Sequence, residues 1–371
     1  MKKKKLFIIT GESSGDKLAS NIVPYFNSSY VDIVAIGSDH LKKKRIKLFF
    51  NSNQISVMGI LDVLKKVFFL KSKINQTIHY ILKFRPNVIF SIDSPDFSFR
   101  VEKAIKGKLP DTKIIHLVAP SIWAWRESRA KNFRNFLDHI LLLFPFETRI
   151  FNKLKIKNTF VGHPFFEKNI TYKKLTINRN IKIISLCPGS RDSEIKTFMP
   201  IFLKLINKIK SHYSDNFLFH FPVAKEHVKN IKKYIPNSNS FLISSTEDSK
   251  NLYIKSSILT VAKSGTISLD VCKNKCPLIT IYRTAWFNYF LIKPFVKIKY
   301  ANIINIIANK QIIPELIQSK CNEIDIFKKV SAFLDNKKVR ISNVANYQKI
   351  IKKITRKNSS KIIADTIKSY I

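Results

Sequence analysis

Short apolar runs alternate with longer helical patterns along the whole chain, and that alternation leaves few folds open. Leu6–Thr10, Val31–Ile36, Val88–Ile92, Ile114–Val118, Ile140–Leu143 and Thr159–Val161 read as buried strands of the first half. Helix-like stretches such as Lys17–Phe26 and Ile74–Lys83 separate them. After Pro164 the pattern pauses in the polar stretch Lys168–Asn180 and then restarts. Ile181–Cys187, Phe217–Pro222, Phe241–Ser244, Ile258–Ala262 and Leu278–Tyr282 are the strands of the second half, with helices such as Phe198–His212 between them. Strands that are apolar throughout have both faces covered, which argues parallel sheets flanked by helices. The expected fold class is therefore α/β, with two Rossmann-like doubly wound domains facing a cleft. Their expected bounds are 1–165 and 166–343, followed by a basic helical tail over 344–371. Open sheets of this kind bind ligands at the carboxyl ends of their strands.

The 371 residues suffice for two cores, and 45% hydrophobic content excludes wholesale disorder. Cys187, Cys272, Cys276 and Cys321 are too few for a disulfide scaffold, and the Cys272/Cys276 spacing is not that of a redox or zinc pair. Reduced thiols in a cytoplasmic chain are expected. The formal net charge is +41, from 66 basic and 25 acidic residues. A nucleic-acid partner, an anionic membrane surface or phosphorylated substrate, and a Lys-rich compositional bias all fit that number. The lysines are scattered and accompany no nucleic-acid-binding fingerprint, so no nucleic acid is expected. Met1–Lys5 followed by Leu6–Thr10 imitates a signal peptide, but the apolar stretch is too short and reads as a strand. No run approaches the ~18 apolar residues of a membrane span. Val57–Leu70 and Trp286–Ala308 are the most lipid-like regions, either buried helices or surfaces lying on a membrane.

Chemistry is concentrated in the loops that follow strands. Gly11-Glu12-Ser13-Ser14-Gly15-Asp16 leads from the first strand into a helix. It is neither a dinucleotide fingerprint nor a Walker loop. Its two carboxylates suit sugar hydroxyls or catalytic support, and Ser13 or Ser14 equally suits a helix cap. Asp93-Ser94-Pro95-Asp96 closes another strand. Asp93 points inward and braces the turn and Asp96, beyond it, faces the cleft as a general base, or both cap the next helix. Trp123 and Trp125, beside Arg126 and Arg129, pack a sugar face, an acyl chain or a core. His163, in Val161-Gly162-His163-Pro164, binds ligand or steers the chain onward.

In the second half, Pro188-Gly189-Ser190-Arg191 joins a strand to a helix and forms an anion site. Lys263-Ser264-Gly265-Thr266 follows a later strand, with Asp270 one turn down the next helix. Two phosphate-type loops in one Rossmann-like domain favour a nucleotide ligand. The 8 His residues are dispersed and show no metal-ligand spacing, so no metal is expected.

Together the motifs resemble the lipid-A-disaccharide synthase family of glycosyltransferases. The matching segments, in the family's order, are GESSGD (11–16), MGILDVL (58–64), IDSPDF (92–97), APSIWAWRESR (119–129), FPFE (144–147), VGHP (161–164), PGSRDSEI (188–195), KSGTISLD (263–270) and NIIANKQIIPELIQ (305–318). The resemblance implies the GT-B architecture and an inverting transfer. UDP-2,3-diacylglucosamine would donate its sugar to the 6-hydroxyl of 2,3-diacylglucosamine 1-phosphate, giving UDP and a β-1,6-linked disaccharide. No cofactor is implied, because the UDP-sugar is a substrate.

Residue by residue, the resemblance makes Asp96 the general base and places Arg191, with Ser190, at the leaving diphosphate. It assigns Ser264, Gly265, Thr266, Asp270 and Asn305 to the nucleotide, and Glu12, Ser14 and Asp16 to the acceptor-side loop. Asp270 stands where the family usually has Glu, and Ile303-Ile304 replace an expected Leu-Pro. Acylated substrates imply peripheral docking on the cytoplasmic face of the inner membrane, with Met58, Phe68 and Phe69 toward lipid or acyl chains. Another GT-B enzyme acting on UDP-N-acetylglucosamine, or a basic binding protein, are the competing readings. Oligomeric state is left open.

Overall fold

The computed structural model describes residues 3–55, 60–120, 132–167, 181–214, 216–284 and 299–371, excluding the side chains of Ser13 and of residues 60–66. Met58, the Trp123–Arg129 segment and most of the expected linker lie outside those residues. The chain forms two compact units, residues 1–169 with 354–371 and residues 170–353. The expected tail is thus divided: its start belongs to the second unit and its end returns to the first.

In the first unit the strands are β1 (Lys4–Thr10), β2 (Val31–Gly37), β3 (Lys47–Asn51), β4 (Val88–Ile92), β5 (Lys113–Leu117), β6 (His139–Leu142) and β7 (Asn158–Phe160). They form one sheet in the order β3-β2-β1-β4-β5-β6-β7, and every neighbouring pair is parallel. The helices used below are α1 (Ser13–Ile22), α2 (Asp39–Lys43), α3 (Ile60–Phe84) and α4 (Pro95–Lys108). Successive strand residues point to opposite faces, so one apolar run supplies two cores. Phe7 and Ile9 join the core on one face, while Leu6 and Ile8 join the core on the other.

The second unit repeats the plan with β8 (Ile181–Cys187), β9 (Asn216–Pro222), β10 (Phe241–Ser244), β11 (Leu259–Lys263), β12 (Leu278–Tyr282) and β13 (Glu315–Ile317). Their order is β10-β9-β8-β11-β12-β13, again parallel throughout. Its helices include α5 (Asp192–His212), α6 (Glu247–Ser256), α7 (Ile267–Lys273), α8 (Ile303–Ala308) and α9 (Lys337–Ile354); α10 (Ser359–Lys368) follows in the first unit. One face of this sheet is apolar, with Ile184, Leu186, Phe219 and Phe221 packed on α5 residues such as Phe198 and Phe202. The other face carries buried polar side chains that satisfy one another. The Ser185 hydroxyl meets His220 Nδ1 at 2.7 Å, and His220 Nε2 meets the Ser244 hydroxyl at 2.6 Å. Burial lowers the His220 pKa to about 3, so the imidazole is neutral in this network.

Among the described residues, no helix is long and apolar enough to cross a membrane.

Candidate active site

In both sheets the strands run parallel, so the loops leaving their carboxyl ends gather along one edge of each unit. The segments singled out from sequence leave β1, β4, β8 and β11 at those edges.

In the first unit two of these loops touch. A Cβ placed on Gly11 would lie 1.9 Å from Ser94 Oγ, so the β1 loop passes where only glycine fits. Asp93 and Ser94 both adopt left-handed backbone, at φ 57° and 52°, and Val118 at the end of β5 does so at 75°. Such strain in non-glycine residues is costly, and a β-branched Val is the most costly of the three. The Asp93 amide donates to the Leu117 carbonyl at 3.0 Å, and the Asp93 carboxylate accepts from the Ser94 amide at 2.8 Å. Burial raises the Asp93 pKa. This turn delivers Asp96 to the first turn of α4, where it is exposed to solvent.

Glu12 is the half-buried N-cap of α1, and Ser14 is half-buried in its first turn. Asp16 is different. It is fully buried, and its carboxylate accepts from the Ser38 amide (2.8 Å), the Ser38 hydroxyl (2.7 Å), the His40 amide (2.9 Å) and the Leu41 amide (3.3 Å). Asp16 therefore ties α1 to the start of α2. His163 is buried too, ringed by Phe144 and Phe166, and its amide donates to the Ile354 carbonyl at 2.9 Å. It holds the returning C-terminal segment.

In the second unit the Gly189-Ser190-Arg191 loop opens onto α5, with Ser190 and Arg191 exposed. Sequence reasoning missed two residues that shape it. His227 Nε2 meets the Ser190 carbonyl at 2.9 Å, and Glu194 accepts from the Ser190 amide at 2.8 Å. His227 lies on a distant segment and left no local signal; Glu194 lay inside the quoted PGSRDSEI motif. Gly265 and Thr266 are exposed, whereas the Ser264 hydroxyl donates to the Ala301 carbonyl at 2.7 Å.

Asp270 is buried, with Lys250 Nζ 3.5 Å from its Oδ2. Burial works to lower the Lys250 pKa, but the carboxylates of Asp270 and Glu247 outweigh it and leave the pKa raised. Asn305 is fully buried. Its amide group donates to the Ile313 carbonyl and Glu315 Oε1, both at 2.7 Å, and its oxygen accepts from the Ile312 and Ile313 amides at 2.8 Å. These four bonds use the full capacity of an Asn side chain. Asn305 thus braces the loop that carries α8 and β13.

Phe68 is 88% exposed and Phe69 46% exposed on α3, with Lys73 over the Phe69 ring at 5.5 Å. Met58 lies outside the described residues.

The lipid-A-disaccharide synthetase family model matches residues 6–367. The chain belongs to this family. It is 32% identical over 365 residues to the lipid-A-disaccharide synthase of Rickettsia bellii, spanning 96% of this chain and 95% of that one. The synthase of Rickettsia prowazekii is 32% identical over 378 residues, spanning 98% and 99%. Members of this family are glycosyltransferases of lipid A biosynthesis, and this chain is read as such an enzyme. Among solved structures it is similar to UDP-GlcNAc 2-epimerase from Neisseria meningitidis, with TM-score 0.66 and 13% identity over 98% of this chain and 100% of that one. It is also similar to a glycosyltransferase from Rickettsia africae, with TM-score 0.57 and 14% identity over 100% and 98%. Those likenesses concern the fold, two Rossmann-like units of the GT-B class.

Proposed function

We propose that this member of the lipid-A-disaccharide synthetase family joins UDP-2,3-diacylglucosamine to 2,3-diacylglucosamine 1-phosphate. The products are the β-1,6-linked disaccharide 1-phosphate and UDP. The observation that carries this reading is the placement of Asp96. It is exposed at the start of α4, on a turn that two left-handed residues and the Gly11–Ser94 approach hold in one shape.

In this reading Asp96 takes the proton from the acceptor's 6-hydroxyl as the oxygen attacks the anomeric carbon. The α-linked donor bond breaks on the opposite side, so one displacement inverts the configuration. Charge then develops on the departing UDP. Arg191 and the backbone amides at the start of α5 would stabilise that charge. Thr266 and Gly265 are exposed at the second nucleotide loop, and Asp270 reaches a ribose hydroxyl if Lys250 yields part of its hold. Asp16 and Asn305 act through the loops they brace. Glu12 and Ser14 border the acceptor.

Both substrates carry acyl chains, so the enzyme docks on the cytoplasmic face of the inner membrane. Exposed Phe68 and Phe69 enter the interface, and nearby lysines meet anionic headgroups at about 1 kcal/mol each. A donor comparison tests the substrate class. Acylated UDP-glucosamine should be consumed only when the acylated acceptor is present. Turnover or epimerisation of unacylated UDP-N-acetylglucosamine at a greater rate would replace this reading with that of a different sugar-nucleotide enzyme.

A further inference from the structure

The anion loop of the second unit already holds an anion, and it is the protein's own. Glu194, on the first turn of α5, places one carboxylate oxygen 2.8 Å from the Ser190 amide. Its other oxygen lies 2.8 Å from Lys263 Nζ and 3.3 Å from Arg191 Nη1. The donors come from the ends of two strands, β8 and β11. The loop is shaped around the carboxylate as well. Gly189 sits at φ 119°, and a Cβ there would lie 2.2 Å from Glu194 Oε2. Lys263 is also held over the Tyr282 ring at 5.8 Å, and its side chain is only 17% exposed. One backbone amide, one guanidinium and one ammonium at a helix start are the donor set that a phosphate group requires.

We propose that Glu194 is a built-in stand-in for the nucleotide's diphosphate, and that Lys263 becomes a ligand to that diphosphate when the nucleotide displaces the carboxylate. This rests on the reading of the second unit as the nucleotide-sugar unit and adds two residues to it. A carboxylate and a diphosphate on the same donors repel, so one must leave. Glu194 is the movable one, because rotation of its side chain frees the carboxylate while the Ser190 amide and both cations stay in the loop. The unliganded loop is then kept in its binding shape, and nucleotide affinity is reduced by the competition. Displacement breaks no covalent bond and needs no proton transfer.

Titration calorimetry with UDP on the full chain, at low and at high salt, tests this. Glu194→Gln keeps the shape and removes the competing charge, and should bind UDP about tenfold more tightly at low salt. Lys263→Met should bind about tenfold more weakly and show less salt dependence. Lys263→Arg should restore affinity, and Lys263→Gln serves as a second neutral variant if the Met variant melts early. Weaker UDP binding by Glu194→Gln would make Glu194 a brace and overturn the proposal. Unchanged affinity in both neutral Lys263 variants would overturn it too. Wild-type protein that is folded yet binds no UDP would contradict the nucleotide reading itself. Wild-type binding that none of the variants alters would contradict only the roles of Glu194 and Lys263.

Discussion

Asp93 and Asp96 stand on one turn in opposite surroundings. Asp93 is half-buried, holds the Ser94 amide and has a raised pKa, while Asp96 is exposed on the helix that follows. If Asp96 is the base, Asp96→Asn should lower turnover by a factor of ~10² or more while UDP affinity, measured by calorimetry, stays unchanged. Near-normal turnover would remove Asp96 from that role. Glu102, two turns along the same helix, is fully buried, and burial raises its pKa to about 8 against a lowering by the Ser91 hydroxyl. Folded protein therefore keeps a proton that the unfolded chain releases near the ordinary value of 4.5. Between those two values the native state binds the extra proton, so this group's contribution to stability falls by about 1.4 kcal/mol per pH unit as pH rises. Glu102→Gln should lose less melting temperature than the wild type between about pH 5 and pH 8. Parallel curves would place the Glu102 titration elsewhere. The sequence identified which residue types stood in the loops but not which way they faced. Asp16 and Asn305 stand in quoted motifs as exposed Ser190 does, yet the partners that bury Asp16, Ser38 and His40, lie outside its motif, and those of Asn305, Ile313 and Glu315, lie further along its own.

Most strands were legible because each is a continuous apolar run closed by Gly, Pro or a polar turn. Among the described residues, the two strands that were missed, β3 and β13, are edge strands, where burial is incomplete and the apolar signal weakens. β3 has four half-buried residues and an exposed Lys47, and β13 is three residues long. The polar face of the second sheet was also illegible, since Ser185, His220 and Thr260 are buried through hydrogen bonds rather than through hydrophobicity. At the β1 and β4 loops, Gly11→Ala should destabilise the protein by about 1–3 kcal/mol through its clash with Ser94. Adding Ser94→Gly should recover much of the melting temperature, because Ser94 also has positive φ, which glycine adopts freely. Failure of the second change to rescue the first would mean that the clash is relieved in some other way. On α3, Phe68→Glu with Phe69→Glu should weaken flotation with anionic liposomes without lowering the melting temperature, given their exposure. Unchanged flotation would refute this docking surface.

The C-terminal residues belong to the first unit rather than to a separate tail. Ile363, Ala364 and Ile367 of α10 are buried in the core that also holds Leu6 and Ile8, and the Tyr370 hydroxyl meets His139 at 3.0 Å. Helical periodicity revealed the apolar stripe of α10 but could not say which of two similar sheets would receive it. Each buried Ile contributes roughly 1.5–3 kcal/mol, a large share of a typical stability of about 5–15 kcal/mol. Deleting residues 358–371 should accordingly melt or precipitate the protein, although the deletion removes none of the loops that bear chemistry.

The +41 charge fits an anionic surface and anionic substrates, and it equally fits a lysine-rich composition. Purified protein in detergent micelles would receive UDP-2,3-diacylglucosamine and 2,3-diacylglucosamine 1-phosphate without added metal, and the products would be read by mass spectrometry and by the anomeric coupling in NMR. The account predicts UDP and a β-linked tetraacyl disaccharide 1-phosphate in equal amounts. An α-linked product, or no product from folded protein that also fails to bind UDP, would contradict it.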